Sequence, residues 1–326
     1  MDTRKSVSIV IPNYNGRELL REYLPYTYEV ANAANIVYEI IIVDDASKDD
    51  SIAFIRSAYP GVNLLVNPEN KGFSYTCNRG IEVAQYELIL LLNSDVKLTP
   101  GYFDEQWKYF LRWDTFGVMG RIIDMDGDSI QDAARVPKLN GYQIETDYLY
   151  YSDNESDRTR TWYMPFANAL MNAEKFKKAG SFFEIFSTSS GAGMELAVRA
   201  WRLNWKCYYE NQAVCRQSAV KGKKDHLHYL DRLFLHAVHL DGFELFAWHI
   251  QVLFTNLVPK LLSGQTKAWE NYTALFNNKE AIKRCKRDIK NLMDENDSRL
   301  RISDIVKRIR ASVQNKSIVR FRSGCN

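Results

Sequence analysis

The stretch LLLNSDV, residues 90–96, decides the reading of this chain. With Leu88 and Ile89 before it, it gives five consecutive apolar residues without polar alternation. A run of that length and pattern is expected of a parallel strand covered on both faces. It stops abruptly in Asn93-Ser94-Asp95, three polar residues with one carboxylate. A hard divalent cation takes carboxylate and phosphate oxygens together, so a carboxylate where a rigid strand stops suits a metal–diphosphate site. Asn, Ser and Asp also make ordinary turns, and the segment alone does not choose between the two. The loops upstream do.

Strand and helix alternate through the first hundred residues. Val7, Ile9, Val10 and Ile11 predict a first strand stopped by Pro12, and Ile40–Val43 a second that is nearly all β-branched. Val62, Leu64, Leu65 and Val66 predict a third. Between them, Leu19, Leu20, Tyr23 and Leu24 share a helical face that Pro25 kinks or restarts. Ser47 is placed to cap the next helix with Asp50 at the capping-box position, and a third helix is expected over about 73–84. Strands separated by helices in this way imply a parallel, doubly wound sheet, which binds ligands beyond its C-terminal strand ends.

Polar residues stand at those ends. The first strand delivers Pro12-Asn13-Tyr14-Asn15-Gly16, the second Asp44-Asp45-Ala46-Ser47, the third Asn67 through Gly72, and the fourth Asn93-Ser94-Asp95. Together they offer an aromatic ring, amides, three aspartates and a lysine. A base can stack on Tyr14 or pack on Pro12, a carboxylate can accept imide or ribose hydrogens, and Lys71 can meet phosphate. Neither GxGxxG nor GxxxxGK[ST] follows the first strand, which argues against a dinucleotide fold and a P-loop. With only Gly16 there, a nucleotidyltransferase loop is not expected either.

Composition is that of a soluble globular protein: 326 residues, 46% hydrophobic and 25% charged. Five cysteines, an odd number without CxxC spacing, point to free thiols in a reducing compartment. The N-terminus runs straight into a strand, so no signal peptide is expected, and no apolar run is read as reaching membrane-spanning length. A cytoplasmic location is expected. The net charge of +3 hides an asymmetry. From Lys279 to Asn326, Lys and Arg outnumber Asp and Glu by 14 to 6, leaving 29 against 34 in the rest of the chain.

SVSIVIPNYNG, EIIIVDDASKDDS, NPENKGFSYTCNRGI and ELILLLNSDVKLTPG resemble, in order and spacing, family 2 glycosyltransferases, and most of all bacterial members of rhamnosyltransferase type. The resemblance covers residues 6–102 strongly and about 160–220 weakly. It implies an α/β, GT-A fold (Rossmann-like, a mostly parallel sheet with flanking helices) with a helical C-terminal region. It also implies a UDP- or dTDP-sugar donor, Mg2+ or Mn2+, and inverting transfer to a hydroxyl of a glycan or lipid-linked acceptor in cell-surface polysaccharide synthesis. Carried over by position, Pro12, Tyr14 and Asn15 line the nucleoside pocket, and Asp44 or Asp45 contacts base or ribose. Lys71 and Gly72 lie near the nucleotide, with Asn93 and Ser94 beside it, and Asp95 is the metal ligand.

The second half departs from the pattern. The acid pair of the family's EDxDLxxR segment falls on Ala192-Gly193, although Leu196, Arg199 and Trp205 keep the register. Gln217 stands where the family has a histidine after a strand, and Ala167-Asn168 match its Gly-Ala element. Glu195 is the expected substitute base, with Glu184 a weaker candidate. The alternative is a catalytically impaired homologue that binds a sugar nucleotide as a scaffold or partner subunit. A membrane-surface protein that binds no nucleotide is a third class, disfavoured by the four loops.

Helices dominate after Lys221. The divisions expected are a catalytic-type domain over 1–220, a helical extension over 221–278 and a basic amphipathic tail over 279–326. The uncharged run Leu245–Pro259 reads as a buried helix or dimer contact, or else as interfacial. His226, His228, His236, His239 and His249 read as packed or solvated, not as metal ligands. In the tail, Ile302, Ile305, Val306, Ile309 and Val313 share a face among arginines and lysines. That pattern predicts peripheral contact of 296–326 with an anionic membrane, at the inner face of the plasma membrane. A homodimer or partner transferase is compatible with all of this. Nucleic acid is not expected, because the larger part is acidic and the tail lacks interleaved aromatics.

Overall fold

The computed structural model describes residues 5–154, 157–186, 188–218 and 229–321. The first four strands are β1 (Ser6–Asn13), β2 (Val37–Asp44), β3 (Asn63–Val66) and β4 (Leu88–Leu92). The helices between them are α1 (Arg17–Ala33), α2 (Ser51–Ala58) and α3 (Phe73–Val83). β1 pairs in parallel with β2 and β4, and β2 with β3, the arrangement expected of right-handed crossovers. Then follow β5 (Val96–Leu98), α4 (Trp107–Phe110), β6 (Thr115–Asp124) and β7 (Ile130–Asp132). β8 (Ala134–Asn140) and β9 (Gln143–Tyr151) make a hairpin, and β10 (Thr159–Arg160) and β11 (Asn168–Asn172) return to the main sheet.

The strand order of that sheet is β10-β12-β6-β11-β4-β1-β2-β3, where β12 is Lys206–Gln217. β11 is inserted antiparallel between β4 and β6, while β12 runs parallel to β6. Helices α5 (Ala173–Lys178) and α6 (Ser189–Arg202) lie before β12. The fold is α/β of GT-A type, with a mostly parallel sheet and flanking helices.

The helical C-terminal region comprises α7 (Tyr229–His239), α8 (Gly242–Val252), a π-helical turn (Leu253–Leu257), α9 (Val258–Leu262) and α10 (Lys267–Asn277). α11 (Lys279–Glu295) and α12 (Ile302–Val313) follow, then β13 (Val319–Phe321), which pairs with β9. One continuous apolar cluster runs from Val10 and Ile41 in the sheet to Ile309 and Val313 in α12, so the chain's end is built into the same core as its beginning.

Several local expectations are corrected. Pro12 does not stop β1, which continues to pair Asn13 with Asp44. Pairing with β4 has already ended at Val10, so the missing N–H opens no gap on that side. Pro25 lies within a continuous α1, on its exposed side, where water can serve the carbonyl it leaves unpaired. Ser47 does not cap α2, whose N-cap is Asp50. The tail's apolar face is not available to lipid: Ile302, Ile305, Val306, Ile309 and Val313 are all buried, with α12 packed on β8 and α6. The run Leu245–Pro259 is not a core helix. It lies in a helix, Gly242–Leu262, that is long and apolar enough to cross a membrane by length and composition, although no such run was expected.

Candidate functional site

Because β1, β2, β3 and β4 are parallel and nearly in register, their C-terminal ends reach one edge of the sheet together. The loops leaving those ends enclose an open cleft of roughly 390 Å3, within the range of small-molecule sites. Seven of the residues expected there line it: Pro12, Tyr14, Asp45, Gly72, Asn93, Ser94 and Asp95. Tyr14, in the cleft lining, is 47% exposed.

Asn15, Asp44 and Lys71 are placed elsewhere. Asp44 is fully buried and accepts hydrogen bonds from the Asn13 amide (2.8 Å), the Ser47 backbone N–H (2.8 Å) and the Ser47 hydroxyl (2.7 Å). It locks the β1 end to the β2–α2 turn and has no face toward a ligand. Asn15 ties the same two loops, its N–H donating to Ser47 Oγ and its side-chain oxygen accepting from the Lys48 N–H. Lys71 turns its ammonium to Glu69 at the surface and gives only its backbone N–H to Asp45. Asp45 also accepts from the Gly72 N–H and the Asn67 amide, so this carboxylate holds the loop at the start of α3. Gly72 has φ of 84° and ψ of 174°, a conformation essentially restricted to glycine.

Asp95 sits between β4 and β5, and the register of β5 on β12 explains its principal partner. Val96 lies opposite Gln217, whose amide nitrogen donates to both Asp95 oxygens at 3.0 and 3.1 Å. The residue at the expected histidine position thus reaches the expected metal ligand across 122 positions of sequence. Tyr23 of α1 lies close enough to Asp95 to feel it. Burial first, then Glu22 and Asp95, hold its phenol above the ordinary value. The Asn13 side-chain oxygen, buried among the same loops, has no hydrogen-bond partner. Below the cleft, Asn168 pairs with Leu92, and its amide bonds the buried Cys215 thiol, which burial pushes up to about 12.

The residues fit the divalent cation that the resemblance implies. Among the described residues no group of three His, Cys, Asp or Glu side chains could cage a metal. Mg2+ and Mn2+ need no such cage where substrate phosphates complete the sphere, and one or two carboxylates suffice. Asp95, with the neutral oxygens of Asn93 and Ser94 beside it, is an all-oxygen donor set of that kind.

Glu195 does not reach the cleft. It is fully buried in the middle of α6 and bonds Arg199 at 2.7 Å. Arg199 in turn donates to the Ala179 and Ser181 carbonyls and lies 3.9 Å over the Phe183 ring. His239 Nε2 lies 3.4 Å from the other Glu195 oxygen. Burial pushes that imidazole down to about 4, so it is neutral at pH 7 and the contact is not an ion pair there. The expectation of a substitute base at Glu195 is therefore corrected: its carboxylate fastens α6 to the 179–183 loop. Glu184 is exposed, beside Asn78.

The first turn of α6 does border the cleft, through Ser189. At the position of the family's acid, a Cβ on Gly193 would lie 2.2 Å from the Met164 carbonyl oxygen, so no side chain fits. A carboxylate from α7 stands behind this turn, fully buried and outside the cleft lining. Asp231 bonds the Thr188 hydroxyl, and its carboxylate stands 2.4 Å from where a Cβ on Gly191 would be. Sequence reading missed Asp231, Ser189, Leu19, Phe73 and Thr76. Leu19 and Phe73 carry ordinary helix-face patterns, and nothing local marks Ser189 or Asp231, which distant packing brings in. His236 is packed, its Nε2 accepting from the Ile144 N–H and its ring stacked on Trp248. His226 and His228 lie outside the described residues.

Comparison with known proteins follows the same division. Residues 8–180 match the family described as glycosyl transferase family 2. An undecaprenyl-phosphate 4-deoxy-4-formamido-L-arabinose transferase of Pseudomonas savastanoi pv. phaseolicola is 37% identical over 101 residues, 29% of this chain and 30% of the relative. A dolichol-phosphate mannosyltransferase of Pyrococcus furiosus is 32% identical over 97 residues, 29% of this chain and 27% of the relative. The matched stretch thus spans under a third of these curated relatives. Among solved structures, S. aureus TarS 1–349 superposes with a TM-score of 0.54 at 13% identity, covering 94% of this chain and 90% of that one. GalNAc-T7 with UDP, GalNAc and Mn2+ gives 0.59 at 14% identity, over 75% of this chain and 50% of that one. The rhamnosyltransferase type finds no specific support among these.

Proposed function

The chain belongs to glycosyl transferase family 2, and from that premise we propose that it is an inverting glycosyltransferase. It carries a sugar from a nucleotide donor, a UDP- or dTDP-sugar, to a lipid-linked phosphate during assembly of a surface glycan. The observation that carries this reading is the convergence of four strand-end loops on one cleft that closes at Asp95. Tyr14 offers its ring to a base. Asp45 holds the loop that brings Gly72 to the cleft wall. Asp95, steadied by Gln217, would hold Mg2+ or Mn2+, as the Mn2+ bound by GalNAc-T7 suggests. When bound, the cation offsets charge on the departing diphosphate.

The emptied acid pair bears on the acceptor. A hydroxyl must lose its proton during transfer, and a positioned base for that step contributes about 10²–10⁴ in rate. A phosphate monoester is already largely ionised at neutral pH, its second pKa being about 6. Its oxygen needs no base. A bond forms from that oxygen to the sugar C1 as the bond from C1 to the diphosphate breaks, and the nucleoside diphosphate leaves. Ala192-Gly193 in place of two acids suits such an acceptor, and the polyprenyl-phosphate transferases among the relatives support it. A second reading keeps a hydroxyl acceptor and gives the base's role to Asp231, which is buried behind the cleft wall at the first turn of α6 and has to be uncovered when the acceptor binds.

Calorimetric titration with UDP, dTDP and GDP, each with and without Mn2+, tests the donor half. Labelled-sugar transfer to a polyprenyl phosphate and to the matching alcohol tests the acceptor. Metal-dependent binding of one nucleotide is expected, with transfer to the phosphate that Asp231→Asn leaves within about threefold. Transfer to the alcohol, abolished by Asp231→Asn, would establish the second reading. Binding of none of the three nucleotides would sink both.

A further inference from the structure

The exposed apolar surface of the helical region has a direction. Along α8, the π-helical turn and α9, Phe243, Phe246, Ile250, Phe254, Val258 and Leu261 recur every three or four residues, one stripe of a continuous helix with Leu262 beside its end. Phe243 is 72% exposed, Phe246 63%, Phe254 65% and Leu262 85%. The stripe extends about 30 Å at 1.5 Å per residue. Monomeric soluble proteins seldom leave so large an aromatic and aliphatic face open.

The opposite face of the same helix is fixed to the protein. Trp248, Val252 and Leu257 are buried. The Gln251 side chain accepts from the Tyr142 N–H and donates to the Asn140 carbonyl, both at 2.8 Å, clamping the turn between β8 and β9. A Cβ on Gly141 would meet Gln251 at 2.5 Å, so the clamp is close. The attachment runs through α8 and the π-helical turn, while α9 buries no residue, and it suits a helix lying on a bilayer surface rather than one crossing it.

Charge selects the occupant. From Leu245 to Trp269 there is no Asp or Glu, and the ionisable side chains are His249, Lys260 and Lys267. α10 packs on the π-helical turn and α9 and adds exposed Trp269 and Phe276. Between Glu244 and Glu270, which border the stretch, phenylalanine and leucine stand with lysine as the only formal charge, and that composition matches the acyl boundary and anionic headgroups of a membrane interface. We infer that the outward face of α8–α9 seats this protein on an anionic lipid surface. The inference concerns binding and stands apart from the donor cleft, although a lipid-linked acceptor gives it a use.

Flotation of the full chain with vesicles of phosphatidylglycerol and phosphatidylcholine tests it, with Phe246→Asp/Phe254→Asp as the variant. Wild type is expected to float with the vesicles and the variant to bind at least tenfold more weakly, while both bind nucleotide equally. Leu111→Asp, at another strongly exposed apolar residue, is expected to change nothing. Both tested phenylalanines are exposed, and equal thermal melts would show that the variant folds. Absence of wild-type binding, or undiminished binding by the double variant, overturns the inference. So does a wild-type dimer that the double substitution dissociates without any vesicle binding, which would assign the stripe to a second copy.

Discussion

Asp95 at the sheet edge and Glu195 inside α6 are both carboxylates that local sequence offers for chemistry, and the fold treats them oppositely. Asp95 follows a strand that stops, so its side chain emerges where loops gather and meets a neutral amide from Gln217. Glu195 follows a helical face pattern and points inward, where Arg199 neutralises it. The same contrast separates the two apolar helical stripes. α12 buries its stripe, whereas α8–α9 presents its own to the outside. A polar or apolar pattern states what a side chain can do. Only the neighbour decides whether it does so in the core or at a surface.

Asp95→Ala gives the widest expected split between function and stability. Transfer should fall by about 10³-fold or more, since a metal ligand contributes several kcal/mol to the transition state, while the melting temperature holds. A stability loss matching the rate loss would place Asp95 with Glu195 as a structural group. Ile309→Asp in α12 should destabilise the fold by about 4 kcal/mol or more, because an unpaired charge enters a closed core. Urea unfolding measures this.

Arg199→Met leaves Glu195 buried without its partner and should cost about 3–5 kcal/mol, with transfer per folded molecule unchanged. A rate loss beyond the loss of folded protein would return Glu195 to the chemistry. Acid should act on the same region. His236 and His239 are pushed down by burial to about 4, below the unfolded value near 6.5. Between those values the unfolded chain binds more protons, so stability is full above about pH 6.5 and falls as pH drops toward 4. The slope is at most about 1.4 kcal/mol per pH unit for each histidine. Melting temperatures from pH 8 to 4 check this, and a flat profile would mean that water reaches both rings. Phe254→Asp should change stability least, by about 0.5 kcal/mol or less, against the large effect of Ile309→Asp. A large loss there would show the α8–α9 stripe to be covered.

Much of the first hundred residues was legible. Leu88–Leu92 is the strand that its unbroken run of apolar residues predicts, and α3 begins at Phe73 as expected. Seven cleft residues could be named from where strands stop. Asp44 could not be told from Asp45, because adjacent residues in a strand face opposite sides and the sequence does not say which side is closed. The α12 stripe was misread as lipid-facing since its partners, β8 and α6, lie more than a hundred positions away.

The sequence by itself determined the alternation of strand and helix, the polar strand ends and the absence of an acid pair at 192–193. These follow from backbone periodicity and residue chemistry, which act over a few positions. The tertiary structure decided that Gln217 meets Asp95, that the Glu195–Arg199 pair is sealed against the 179–183 loop, that Asp231 arrives at the first turn of α6, and which apolar stripe is left uncovered. Those are contacts between segments far apart in the chain, settled by packing and desolvation when the core closes, and no local pattern encodes them.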